Sequence, residues 1–233
     1  METLRLLEAF DVHLDRLKAA ALKAGPDAAI PDCPKWTVKD LVSHLVMVHS
    51  FTVAGITGNP RGEDPEPSDW DDLLGLWDGR RMAAREALAG APDTLVHAPL
   101  GGPQVPRSVW VRRMAHETAI HRLDAEGALG LKTTFSPPFA ADGIDEYLTF
   151  ITPHRRSKAE SAGTASFRAT DTGHEWTVRY APGELPSASR SASEDAGVTV
   201  SGTADQLYRA VWGRPAEVGT AGEAALLRPL AAP

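Results

Sequence analysis

Glu117 and His121 stand four residues apart in the segment 109–127, VWVRRMAHETAIHRLDAEG. On a helix this spacing sets a carboxylate and an imidazole one above the other on a single face. Trp110 and Met114 share that face, which predicts that it turns inward, and an acid on an inward face needs a partner. A divalent cation is one such partner. His44 lies in a similar apolar stripe, Leu41-His44-Leu45-Val48. Two histidines and a glutamate form a donor set that zinc and related ions accept, with positions left open for water or substrate. His116 is five residues from His121, about 140° round the helix, so the two do not share an ion. HETAIH is therefore not the HExxH pattern of zinc proteases, which needs two histidines four apart. On spacing alone a plain alternative stands beside the metal: a hydrogen-bonded Glu/His pair and a bonded core histidine. Asp124, one turn past His121, reads either as a group that orients a ligand or as a surface acid paired with arginine. His13, His49, His97, His154 and His174 read as surface or locally bonded residues.

These residues must be positioned by a chain of 233 amino acids, enough for one large domain or two modest ones. A hydrophobic fraction of 42% allows a proper core, and a net charge of −7 gives no basic surface for nucleic acid. No run of 18 apolar residues is present, so no transmembrane helix is expected, and the N-terminus METLRLLEAFDVHLDRL is unlike a signal peptide. Cys33 is the only cysteine, which rules out an intrachain disulfide. A cytoplasmic protein that does not bind membranes, monomeric or homodimeric, is the simplest expectation.

The hydrophobic period predicts four helices in the first half. Leu7, Phe10, Leu14, Leu17 and Ala21 mark the first, ended by Gly25-Pro26. Thr37 with Asp40 forms a capping box for the second, which runs toward Gly55. Ser68 with Asp71 repeats that pattern for a third, from Asp69 to about Gly90, and Pro106-Arg107-Ser108 opens the fourth. The polar loop GNPRGEDPEPSD, with Glu63, Asp64, Glu66 and Asp69, reads as a solvated connection. In the second half, residues 137–151 read as one more helix. After His154-Arg155-Arg156 the period becomes two: Ala165, Phe167 and Ala169, a turn at Asp171-Thr172-Gly173, then Trp176, Val178 and Tyr180 form a hairpin. Val198 and Val200 make a third strand, residues 204–212 a helix, and the Ser/Ala-rich residues 183–196 a flexible loop. The fold class is α+β, a helical bundle followed by a small α+β domain, joined near 135–160.

Several stretches resemble one family in order along the chain. CPKWTVKDLVSHL (residues 33–45) resembles the CPGWTVRDLLAHL signature of the mycothiol-dependent maleylpyruvate isomerase family. HETAIHRLDAE (116–126) resembles its HExxVHRxDAE segment, ADGIDE (141–146) its ADGVDE, and Trp212-Gly213-Arg214 its LWGR element. Lys35 stands where the family has Gly, ahead of the helix cap and away from the donor atoms. The resemblance implies a DinB-like metal-binding four-helix bundle over residues 1–135 and a small, sterol-carrier-like α+β domain over 136–233. It implies a divalent metal, zinc in kind, held by His44, Glu117 and His121, with mycothiol as thiol cosubstrate and Arg214 as a contributing catalytic arginine.

An ion in such a site lowers the pKa of a thiol. In an isomerase the thiolate would add to a conjugated double bond, permit rotation and leave; in a transferase it would displace a leaving group. Arg214 or Arg122 would hold a substrate carboxylate, although for Arg122 a salt bridge is the stronger reading. Cys33 reads as structural, and Trp36 and Trp110 as core. The expected function is a metal-dependent, mycothiol-using isomerase or thiol transferase acting on a small electrophile. Two alternatives from other classes are a non-catalytic DinB-like binding protein with a stress or regulatory role and a carrier of apolar ligands.

Overall fold

The computed structural model describes residues 1–59, 66–154 and 162–230. Glu63 and Asp64 of the Pro-rich loop, and Arg155-Arg156, lie outside the described residues. The fold is mixed, helical in the N-terminal region and sheet-containing in the C-terminal region. Contacts divide the chain into two compact units, Glu2–Thr133, and Thr134–Pro233 together with Met1.

Four helices build the first unit: α1 (Thr3–Ala24), α2 (Val38–Thr57), α3 (Trp70–Leu88) and α4 (Arg107–Gly127). Helix α1 buries Leu6, Phe10, His13, Leu14, Leu17, Ala20 and Ala21, a stripe at spacings of three and four, while Leu7 is only half-buried. Gly25 ends it at φ 80. Helix α2 opens on the predicted capping box: the Asp40 amide donates to Thr37 Oγ1, and the Thr37 amide donates to Asp40 Oδ2 at 2.8 Å. It runs past Gly55, whose missing Cβ leaves a notch. A Cβ there would lie 2.3 Å from the Trp110 ring, whose Nε1 donates to the His97 carbonyl at 2.7 Å. The true stop is Gly58, left-handed at φ 73.

The start of α3 differs from expectation by one residue: Asp69, not Ser68, is the N-cap, accepting from the Asp72 amide at 2.9 Å. A two-residue ladder of β1 (Leu95–Val96) and β2 (Val105–Pro106), too short to leave a periodic signal, joins α3 to α4. Helix α1 packs on α4 and α2 on α3, and both α2 and α3 also touch α4. The fourth helix is consequently buried along most of its length.

Among the described residues, helix α2 is long and apolar enough to cross a membrane by length and composition alone. Here its buried residues, among them Leu41, Leu45 and His49, form part of the bundle core.

The second unit starts with α5 (Pro137–Glu146), a wider π turn (Tyr147–Ile151) and the single turn α6 (Thr152–His154). One straight helix over 137–151 was the expectation. Both the Thr152 amide and its hydroxyl bond the Tyr147 carbonyl five residues back, and this widens the turn. A five-stranded sheet follows: β3 (Gly163–Ala169), β4 (Glu175–Tyr180), β5 (Ser187–Ser189), β6 (Val198–Gly202) and β7 (Gly219–Gly222), ordered β5-β4-β3-β6-β7. The expected hairpin is present, with Phe167 opposite Trp176 and Ala165 opposite Val178. Strand β6 returns parallel to β3, and the other pairings are antiparallel. Helix α7 (Ala204–Val211) follows β6 and packs on α5, where Tyr208 stands edge-on to Phe135 at 5.0 Å. Residues 183–196, expected as a loop, contain β5. This edge strand, like β7, is made of small and polar residues, which suits an edge but shows no apolar alternation.

His13 and His49 also depart from expectation. His49 is 0% exposed, both its ring nitrogens lack a hydrogen-bond partner among the described residues, and Phe10 lies edge-on at 6.3 Å. His13 is buried against Arg122, Nδ1 to Nη1 3.1 Å. Burial first, and then nearby positive charge for His13 (Arg122) and His49 (Arg81), lowers each pKa to about 3. Above pH 6.5 both are neutral folded or unfolded. As pH falls below that, the unfolded chain takes up protons that the folded chain refuses, so stability drops. Between pH 6.5 and 5 each histidine contributes a loss on the order of 2 kcal/mol. Urea unfolding at the two pH values should show this loss shrink by about that amount in His49→Leu; an unchanged pH dependence would contradict it.

Candidate metal centre

The buried middle of α4 and the N-terminal half of α2 bring the three predicted donors together. His44 Nε2 lies 3.0 Å from Glu117 Oε1, and His121 Nε2 lies 3.2 Å from the same oxygen. All three donor atoms fall within 4.8 Å of one another. Ligands about 2.0–2.2 Å from a shared ion sit roughly 2.8–3.6 Å apart, so both histidine–carboxylate distances already match. The donor chemistry fits a borderline divalent ion such as zinc, with at least one position open.

Two of the donors, His121 and Glu117, are held from behind. His121 Nδ1 lies 2.9 Å from Asp124 Oδ2, whose side chain is 0% exposed. This contact places the ring hydrogen on Nδ1 and leaves Nε2 facing the site, the orientation a metal-bound imidazole needs. Asp124 is buried against His121, which excludes the surface position of the other reading. Arg113 Nη2 donates to Glu117 Oε2 at 2.8 Å, so the two carboxylate oxygens are divided: Oε2 to the guanidinium, Oε1 to the histidines. Trp36 packs on both rings, 5.1 Å from His44 and, nearly parallel at 22°, 6.0 Å from His121. It is half-buried, only in part the core residue expected.

The electrostatics show how the trio is stable by itself. Burial alone would raise the Glu117 carboxyl. Hydrogen bonds from His121 and His44, with the charges of His121 and Arg113, hold it well below the usual range instead. Burial would likewise lower His121, but its bonds to Asp124 and Glu117 raise it to about 9. Glu117 is thus a charged acceptor, balanced by Arg113 and His121 on its own helix and hydrogen-bonded to His44 from α2.

His116 is fully buried outside the trio, as its angle on the helix requires. Arg122 is engaged elsewhere, Nε to Glu126 Oε1 at 2.9 Å and Nη1 to His13, so it serves the α1–α4 packing. Cys33 points its thiol at Asp124 Oδ2 from 3.9 Å. Trp110 is core, as expected. Arg214 belongs to the second unit, half-buried just beyond α7, with Nη1 donating to the Trp212 carbonyl at 2.8 Å. Sequence reasoning overlooked Arg113, although its i,i+4 spacing to Glu117 was a readable ion-pair signal. The two ring contacts of Trp36 left no trace in spacing, because they bring a loop before α2 onto α4.

Bundle and site together define a helical protein with a His/Glu/His donor set, followed by a small α+β unit. The Mycothiol maleylpyruvate isomerase N-terminal domain matches residues 7–126, and the MDMPI C-terminal domain matches residues 138–229. The chain belongs to the mycothiol-dependent maleylpyruvate isomerase family. Among solved structures, the crystal structure of the mycothiol-dependent maleylpyruvate isomerase is similar at 16% identity, covering 96% of this chain and 95% of that one, with a TM-score of 0.63. A histidine-to-alanine mutant of that isomerase is similar at 16% identity over the same shares, with a TM-score of 0.62. Among curated proteins no sequence matches.

Asp124→Asn keeps the side-chain shape and removes the charge behind His121. Zinc affinity, measured by competition with a chromophoric chelator, should fall about 10- to 100-fold. Affinity equal to that of the parent protein would show that Asp124 does not orient the ligand.

Proposed function

We propose that this protein is a metal-dependent, mycothiol-using isomerase or thiol transferase that acts on a small electrophilic substrate. The observation that carries the reading is the convergence of His44, Glu117 and His121 on one point, in a member of a family of mycothiol-dependent isomerases. Bound there, a divalent ion would supply the positive charge that makes a thiol a thiolate near neutral pH.

The chain's own residues do the rest. His44 and His121 present Nε2 and Glu117 presents Oε1, while Arg113 keeps the second carboxylate oxygen occupied. Asp124 fixes the ring hydrogen of His121 away from the site. The attacking sulfur comes from the cosubstrate, because Cys33, directed at Asp124, does not belong to the donor cluster. Arg214 is the proposed holder of an anionic group on the substrate, through the planar fork that suits a carboxylate.

The test combines metal content with turnover. Elemental analysis should find about one divalent ion per chain. The Glu117→Gln, His121→Ala double variant, which avoids leaving Arg113 facing a void, should hold almost none. Turnover of an electrophile panel should require both mycothiol and metal and should stop with chelator. Full metal occupancy in the double variant, or turnover that survives the chelator, would overturn the proposal. Metal binding without thiol-dependent turnover of any electrophile would favour a binding protein instead.

A further inference from the structure

The donor set is covered unequally. Arg113, 6% exposed at its side chain, closes the site beside Glu117, and Asp124 closes it behind His121. The side left accessible is formed by His44, with 23% of its side chain exposed, and by the half-buried Trp36. The indole is held there by its own loop: the Ile30 amide donates to the Trp36 carbonyl at 3.1 Å, the Trp36 amide donates to the Cys33 carbonyl at 2.8 Å, and Ala29 bridges to Thr37, the cap of α2. Trp36 is stacked on the His121 imidazole and tilted against that of His44, and the Nε2 atoms of both rings point at Glu117. A molecule that approaches the three donors from this accessible side passes the indole. A sulfur next to an aromatic ring gains a favourable contact that a hydrated oxygen anion does not.

Resting on the metal reading above, we propose that Trp36 is a specificity-determining wall of the open coordination position, selecting a soft thiol sulfur over a hard oxygen ligand. It acts on the incoming ligand and leaves the affinity for the ion itself to His44, Glu117 and His121.

The test uses the full chain loaded with Co²⁺, a spectroscopic stand-in for zinc. The probes are 2-mercaptoethanol, followed by the sulfur-to-cobalt charge-transfer absorption, and acetate, followed by the cobalt d–d bands. In Trp36→Leu, thiol affinity should fall roughly two- to tenfold, while acetate and Co²⁺ affinities stay within about twofold. Trp36→Phe, which restores an aromatic face, should recover most of the loss. Equal changes for thiol and acetate, no change for either, or a collapse of Co²⁺ affinity would overturn the assignment; the last would make Trp36 a packing residue for the ligand rings. If the parent protein takes up no Co²⁺, the metal reading itself fails, and this inference falls with it.

Discussion

A single carboxylate on the inward face of α4 sets the conditions for the rest of the N-terminal unit. Glu117 is largely enclosed, with 15% of its side chain exposed, and a charge in that position is tolerated only when opposite charge and hydrogen bonds surround it. Arg113, His44 and His121 supply them from two helices, and Asp124 steadies His121 in turn. The packing follows from this. Helices α2 and α4 must meet at one register for His44 to reach Glu117, and the Gly55 notch under Trp110 and the Thr52–Met114 contact lock the same register further along. The arrangement that neutralises the acid is also the one that gathers the three candidate metal donors.

Much of this was legible in the sequence, for physical reasons that differ by residue. Glu117 and His121 share a helix, and helix geometry alone stacks them. Thr37 and Asp40 announce the start of α2 through local hydrogen bonds, so the boundary was readable within a few residues. His44 was different, since its partner lies 73 positions away; its apolar stripe made it a candidate that was equally open to a bland reading, and the resemblance of residues 33–45 to a family signature strengthened its link to the pair. What escaped notice depends on tertiary packing. Trp36 packs on both imidazoles because a loop folds back over α4, and His13 and His49 are buried because they lie in the stripes of α1 and α2 that face the bundle core.

The C-terminal unit shows the same division. The hairpin of β3 and β4 was visible because apolar residues alternate across a glycine turn, whereas β5 and β7 are short edge strands of small and polar residues that look like loops. The π turn at Tyr147–Ile151 comes from where Thr152 places its bonds, which periodicity does not encode. The candidate site divides in a similar way: the donor set rests on a register that the bundle enforces, while Trp36 and Arg214, the residues proposed to act on the incoming molecules, stand outside any helical repeat. Members of one family can thus keep the metal chemistry while differing in the molecules they accept.

The most direct test of the central claim is a crystal structure of the protein grown with zinc, with anomalous diffraction recorded at the zinc edge. The account predicts one strong anomalous peak about 2.0–2.2 Å from His44 Nε2, Glu117 Oε1 and His121 Nε2 together. No peak among these atoms, with Glu117 still bonded only to its histidines and Arg113, would contradict it.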